Sequence, residues 1–385
     1  MKFNTVMLSE VAEVGAGNSA PQDKKLFNGG KYPFIRTSDV GKIKVGTINK
    51  TVDKLNENGI KKLKLFSTGT ILFPKSGAST FLNYRVLMGE DSYVSSHLAT
   101  IKANTDKVLD KYLWYFLQTI DSANLIPDSD YPSVNLKVIQ KIATPLPSLN
   151  EQKQTIKKLE ELLPEIDNAL IKFKAQIIKT NELSERLGEI YFNNKDYPEH
   201  KLSDVCEFIG GSQPPKSVFE KAPTEKNIRL IQIRDYKSDK HIVYIPKKLA
   251  KRYCDKTDIM IGRYGPPIFQ ILRGIEGSYN VALMKAVPNK KIEKNYLFYF
   301  LKNKKIQNYI INKSSRAAGQ TGLNKQALEP YIINLPPLDI QNKIVKKVDE
   351  VQKNIEIYTN SLTEKIKHLH SLRLSILSDI FKNKT

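Results

Sequence analysis

Thr144-Pro145-Leu146-Pro147-Ser148-Leu149-Asn150-Glu151-Gln152 runs from a proline-bearing strand into a helix start, and Asn334-Leu335-Pro336-Pro337-Leu338-Asp339-Ile340-Gln341 does the same 189 positions later. Each leads into a long apolar seam. Ile156, Leu159, Leu163, Ile166, Leu170, Phe173 and Ile177 alternate spacings of 3 and 4, the signature of helices that pack along one stripe. Ile344, Val348, Val351, Ile355, Tyr358 and Leu362 repeat the device, continued by Leu369, Leu372 and Ile376 after a polar step at Lys365. Ser148-Leu149-Asn150-Glu151 fits a capping box, in which serine and glutamate satisfy each other's amides, and Asp339 is placed for the equivalent cap. From Asn150 to about Asn193 the pattern covers roughly 44 residues, or ~66 Å of helix at 1.5 Å per residue. Pro164 removes a helical hydrogen bond and predicts a kink or short break at Leu163.

Upstream of both seams the chain repeats itself. Leu8-Ser9-Glu10-Val11 returns as Leu202-Ser203-Asp204-Val205, and Gly15-Ala16-Gly17 as Ile209-Gly210-Gly211. Phe34-Ile35-Arg36 pairs with Leu230-Ile231-Gln232, and Tyr112-Leu113-Trp114-Tyr115-Phe116-Leu117 with Tyr296-Leu297-Phe298-Tyr299-Phe300-Leu301. Ile71-Leu72-Phe73, Ala99-Thr100-Ile101, Leu230-Ile231-Gln232-Ile233 and Val281-Ala282-Leu283-Met284 read as short strands. The organisation is therefore a mixed α/β globular head over 1–149, a long helix over 150–196, a second head over 197–337 and a second long helix over 338–385. The pseudo-twofold repeat makes the two long helices one design, each carrying the apolar seam of a coiled coil.

The formal charge is +21, from 61 lysines and arginines against 40 acids. Its location decides its meaning. The heads carry +6 and +13, while the helical segments carry −1 and +3. Uniform lysine enrichment would load the helices equally, so the segregation points to heads that bind a polyanion. The two cysteines and five histidines show no metal-ligand spacing. No apolar run approaches the ~18 residues of a membrane span, and Glu10 and Glu13 stand where a secretion signal needs an apolar core. A cytoplasmic protein without membrane contact is expected.

The duplicated order of P-L-P-S-L-N-E-Q at 145–152, L-P-P-L-D-I-Q at 335–341, L-S-E-V at 8–11 and L-S-D-V at 202–205, each pair tied to a heptad helix, resembles the specificity subunit of Type I restriction-modification systems. The resemblance covers essentially the whole chain. It implies two target recognition domains, each reading one half of a split double-stranded DNA sequence, held by two antiparallel helices. It also implies partners: two modification (methyltransferase) subunits and, beyond them, restriction (translocase/endonuclease) subunits. S-adenosylmethionine, ATP and Mg are expected on those partners and no cofactor on this chain, which would direct adenine methylation and restriction without catalysing either. The departures are Ile340 in the place of Glu151, and Pro164. The rival from another class is a coiled-coil scaffold whose basic lobes bind RNA or another acidic partner.

Candidate DNA contacts lie beside glycine loops and strand ends. In the first head they are Arg36, Ser38, Lys75, Ser76 and Arg85; in the second, Gln232, Arg234, Arg263, Tyr264 and Gln270, with Arg316, Gln320 and Lys325 on a polar stretch suited to gripping phosphate. For each the alternative is a solvated or packing residue. Lys61-Lys62-Lys64 and Lys247-Lys248-Lys251-Arg252 are candidates for the electrostatic footprint. The aromatic runs at 114–116 and 298–300 could stack on bases, but their mid-helix position beside leucines favours core packing. Enzyme signatures fail on particular residues. Gly265-Pro266-Pro267-Ile268 lacks the amide or acid and the aromatic of an amino-methyltransferase site. Gly15-Ala16-Gly17 has no third glycine for a nucleotide loop, and Pro127-Asp128 with Glu151-Gln152-Lys153 makes a nuclease pattern that the second copy does not repeat.

Overall fold

A computed structural model describes residues 4–126, 132–265, 267–316 and 322–382. The chain divides into two compact units, one of Met1–Phe173 with Glu364–Thr385, the other of Lys174–Thr363. Each unit thus holds one head and a half of each long helix. The helices span Leu149–Phe192 and Leu338–Lys382. Ser148 and Glu151 form the reciprocal cap, with the Ser148 amide donating to Glu151 Oε2 at 2.9 Å and the Glu151 amide to Ser148 Oγ at 3.4 Å. Two sequence expectations change here. The first helix runs unbroken through Pro164, with Leu163 buried in the core. The second begins at Leu338, so Asp339 lies inside the first turn and salt-bridges Lys343 one turn on instead of capping the end.

The first head folds around a five-stranded sheet in the order Ala12–Ala16, Leu98–Ala103, Ile71–Pro74, Arg85–Met88, Val45–Ile48, antiparallel except for the last pair. A smaller sheet sets Tyr32–Ile35 between Asp53–Leu55 and a parallel Tyr93–Val94. The second head repeats this plan. Cys206–Gly210, Leu283–Pro288, Ile259–Gly262 and Gln270–Leu272 form one antiparallel sheet, and Asn227–Ile231 lies between Tyr244–Pro246 and a parallel Gly277–Tyr279 in the other. A two-strand ribbon closes each head, Thr5–Met7 on Ala143–Pro145 and Glu199–Lys201 on Ile332–Asn334. Two expected strands are trimmed. Asn227–Ile231 stops before Gln232 because Asp235 accepts the Gln232 amide at 3.1 Å and turns the chain, and the later strand starts at Leu283, after a turn over Val281 and Ala282.

The core of each unit forms where the aromatic helix meets the long helices. Tyr112 and Phe116 pack edge-on against Phe381, at 5.3 and 5.6 Å between ring centroids, while Tyr296 and Phe300 pack on Phe192 at 5.0 and 6.5 Å. Phe192 and Phe381 are themselves 189 positions apart. Each head therefore sits on the end of one long helix and the start of the other. Within the first unit Asp167 meets Arg373 and Phe173 meets Lys365; within the second Ser184 meets Gln352. In the first unit partner numbers fall as the first helix ascends, so the helical pair is antiparallel there.

Of the seam residues, Leu159, Leu163, Ile166, Leu170, Val348 and Leu362 are buried, and Ile156, Phe173, Ile177, Ile344, Val351, Ile355, Leu369 and Ile376 are half-buried. Tyr358 and Leu372 are not part of it: they stand 46% and 48% exposed. After Leu369 the buried stripe steps by four to Arg373 and then to Leu377 and Phe381. The cause is geometric, since a helix of 3.6 residues per turn drifts ~20° per heptad and the stripe tracks the partner surface.

Cys206 and Cys254 are both buried, and desolvation pushes each thiol up to about 12. Reactivity requires the thiolate. Ellman's reagent at pH 8 is expected to find neither thiol in the native chain and both after denaturation; rapid labelling of the native protein would contradict this packing.

Candidate nucleic-acid interface

At one end of the first head, loops from both sheets are laced together through the backbone. The Ser95 amide donates to Ile35 O at 2.9 Å, the Asn18 amide to Val94 O at 2.6 Å, the Lys75 amide to His97 O at 3.0 Å and the Val134 amide to Lys75 O at 2.8 Å. The second head repeats every stitch. The Asn280 amide donates to Ile231 O at 3.0 Å, Ser212 to Tyr279 O at 3.1 Å, Arg263 to Ala282 O at 2.9 Å and Leu323 to Arg263 O at 2.9 Å. Close approach explains the glycines at its centre. A Cβ on Gly17 would lie 2.3 Å from Ser95 O, and one on Gly211 1.9 Å from Asn280 O. Only a residue without a side chain lets two backbones touch in this way.

The side chains on this shared frame differ. In the first head Arg36 ends the strand, its guanidinium paired with Asp53 and lying 5.3 Å from the Phe34 ring, while Ser38 is exposed on the first turn of the helix Thr37–Ile43. Lys75 is half-buried, and Ser76 Oγ is 3.1 Å from His97 Nδ1. In the second head Gln232 takes the place of Arg36, with its Nε2 buried and unpartnered. Arg234 is exposed, with no ion-pair partner among the described residues. Arg263 spans the edge by donating to Leu323 O and Val281 O at 2.9 and 3.0 Å, Tyr264 is exposed beside it, and Gln270 Nε2 donates to Pro267 O at 3.1 Å. The edge therefore brings together Arg36, Ser38, Lys75 and Ser76 in one head and Gln232, Arg234, Arg263 and Tyr264 in the other, whereas Gln270 lines the cavity between the second head and the long helices. His97, Asn280 and Ser212, which sequence reasoning missed, belong to it; the strand pairing that carries them there joins segments far apart in the chain.

Three expectations are corrected or fall elsewhere. Arg85 is fully buried: its guanidinium lies 3.5 Å from the Phe73 ring centroid and donates to Leu117 O, Tyr84 O, Ile120 O and Ser122 Oγ at 2.9–3.1 Å. Desolvation pulls its pKa down to about 9, so it stays charged at neutral pH. It is a structural cation. Lys325 pairs with Glu329 at 3.6 Å beside Ser203 and Glu207, turned toward the opening segment of the repeat and not the loop edge. The Arg316 side chain, Gln320 and the neighbouring Gly319 and Thr321, like Pro127 and Asp128, lie outside the described residues.

The footprint lysines differ as well. Lys247, Lys248, Lys251 and Arg252 are exposed without acid partners among the described residues, whereas Lys64 is tied to Glu13 at 2.7 Å. Both aromatic runs are core. Among the described residues no three His, Cys, Asp or Glu side chains gather as a metal site, and no helix is long and apolar enough to cross a membrane.

The duplicated frame matches a known pattern. The family model for the Type I restriction modification DNA specificity domain fits the chain twice, over residues 1–179 and 194–368. The chain belongs to that family. Among its relatives in the specificity family, the putative type I restriction enzyme MjaX specificity subunit of Methanocaldococcus jannaschii is 24% identical over 396 residues, covering 91% of this chain and 87% of the relative. The type I restriction enzyme EcoBI specificity subunit of Escherichia coli is 22% identical over 348 residues, covering 78% and 71%. A chain from a solved structure on complex assembly and conformational transition of the type I R-M system superposes with a TM-score of 0.72 at 19% identity, covering 100% of this chain and 98% of that one. Fold and family agree, and a DNA specificity chain accounts for the doubled frame where an RNA-binding scaffold does not.

The glutamine that closes the proline-bearing motif in both copies has a structural role. Gln152 and Gln341 are fully buried at the head end of each long helix of this specificity chain. Gln152 Oε1 accepts from the Leu109 amide at 2.8 Å, and its Nε2 donates to Lys107 O and Pro147 O at 2.9 and 3.0 Å. Gln341 repeats the clamp on the Glu293 amide, Lys291 O and Pro336 O at 2.7, 3.0 and 2.8 Å. Each glutamine ties the first turn of a long helix to the loop that starts the aromatic helix.

Proposed function

We propose that this chain is the non-catalytic recognition subunit of a cytoplasmic Type I restriction-modification complex. Each head reads one half of an asymmetric, bipartite double-stranded DNA target. The long helices dock two modification subunits, which carry S-adenosylmethionine and methylate adenine; restriction subunits carry the ATP- and Mg-dependent chemistry. The observation that supports it is one backbone frame carrying different side chains in each head: Arg36, Ser38, Ser76 and His97 against Gln232, Arg234, Tyr264 and Asn280. Phosphate contacts by exposed lysines set affinity and register, while side chains at the loop edge discriminate bases. Different side chains on equal frames mean different half-sites.

The test is methylome sequencing of cells carrying the complex, with Arg234→Ala. A base-reading arginine contributes ~1–3 kcal/mol of discrimination, roughly 5- to 150-fold. The expected result is relaxed preference within one half-site and an unchanged second half-site. Equal change in both halves, or methylation by the purified chain alone, overturns the reading.

A further inference from the structure

The two head–helix junctions share their aromatic packing on Phe381 and Phe192 but are closed differently. In the first unit Arg373 enters the seam and is held by Asp167 Oδ1 at 2.9 Å and by Gln118 Oε1 at 2.9 Å, with Leu377 one turn further on in the core. The long helices repeat with an offset of 189, so in the second unit the places of Arg373 and Leu377 belong to Ser184 and Gly188. The large side chains are replaced by smaller polar contacts: Gln352 Nε2 donates to Ser184 Oγ at 2.7 Å and Asn303 Nδ2 to Gly188 O at 2.6 Å. A cavity of about 450 Å³ opens there, lined by Ser184, Glu185, Gly188, Lys302, Lys304 and Gln352 among others, with Glu185 and Lys304 paired to each other at 2.7 Å.

The polar residue facing that space has changed in kind. The aromatic helices repeat with an offset of 184, which puts Lys302 where the first unit has Gln118. An acceptor for the protein's own guanidinium is thus replaced by a cation. No carboxylate lies within ion-pairing distance of Lys302 among the described residues. Its ammonium lies 5.1 Å from the Phe298 ring, and the Arg273 guanidinium lies 3.9 Å from the same ring. Lys302 is exposed at the rim of the cavity and lacks a carboxylate partner among the described residues, so an anion entering there finds an unpaired ammonium.

We propose that the second junction is a receptor for a carboxylate side chain presented by the modification subunit, with Lys302 as its counter-ion and the cavity at Ser184 and Gly188 as its sleeve. This rests on the reading that the long helices dock modification subunits. The first junction supplies its own plug, so the two docking positions are unequal, and the contact at the second is charge-dependent.

The test uses the full chain and the cognate modification subunit. Carbodiimide coupling of the assembled complex, read out by mass spectrometry, joins an amine to a carboxylate in contact with it. Lys302 is expected to couple to an aspartate or glutamate of the modification subunit. Lys302→Gln, and independently the double change Ser184→Arg with Gly188→Leu that copies the first junction, are expected to weaken binding tenfold or more with melting of the free chain unchanged. Should the double change misfold, Lys302→Gln and Lys302→Met decide the matter. Unchanged affinity in the lysine variants, or coupling of Lys302 only to this chain's own carboxylates, overturns the receptor while leaving modification-subunit docking intact. Failure of the unaltered chain to bind the modification subunit overturns both.

Discussion

Arg85→Met is expected to destabilise the first head strongly and not to act as a DNA-contact mutation. The guanidinium satisfies three backbone carbonyls and the Ser122 hydroxyl, and the Arg85 carbonyl accepts from Trp114 Nε1 at 2.9 Å. Methionine fills much of the volume over Phe73 but offers no donors. Each buried acceptor left without a partner costs ~1–3 kcal/mol, so a loss on the order of 3–5 kcal/mol is expected against the ~5–15 kcal/mol that holds a domain together. Arg85→Lys keeps the charge and loses the fork that reaches Leu117, Ile120 and Ser122 together, so it should recover only a small part. Urea denaturation of the full chain checks this. An unshifted transition combined with weakened DNA binding would return Arg85 to the reading surface.

Gln152→Glu and Gln341→Glu are expected to be nearly as damaging, and similarly so in the two units. Each change keeps the acceptor for the Leu109 or Glu293 amide but sets a carboxylate against two carbonyls that had been receiving hydrogen bonds. A buried charge facing acceptors is costly, on the order of 3 kcal/mol or more at neutral pH. The loss deepens as pH rises. The introduced carboxyl has a folded pKa above its unfolded value of about 4.3. Its proton-bound form can donate one bond, so stability is retained below the unfolded pKa and lost as pH rises through the folded one. Each variant should thus melt closer to the parent at pH 5 than at pH 8. Equal deficits at both pH values would mean that the glutamines do not clamp the heads as described.

The duplicated punctuation and the heptads made the family, the two heads and the two long helices legible, because those signals are local: a capping box, a 3–4 spacing, a strand ended by glycine. Even the aromatic runs could be assigned to the core from their leucine neighbours. The errors have another origin. Arg85 sits beside the polar Asn83 and Tyr84, yet its side chain is swallowed because carbonyls 32 and 35 residues later converge on it. Arg373 stands next to Leu372 in the heptad pattern, yet it is the arginine that enters the seam, because Asp167, more than two hundred positions away, receives it.

By itself the sequence determined that there are two basic heads, two matched helices and a non-repeating set of side chains between them, since periodicity, capping and charge segregation act over a few residues. Only the tertiary structure decided which polar groups are buried, which strand ends share an edge, and that one junction is plugged by Arg373 while its twin is open at Lys302. The physical reason is that desolvation and hydrogen-bond satisfaction depend on what the rest of the chain places around a group, and that environment is not written in the residues beside it.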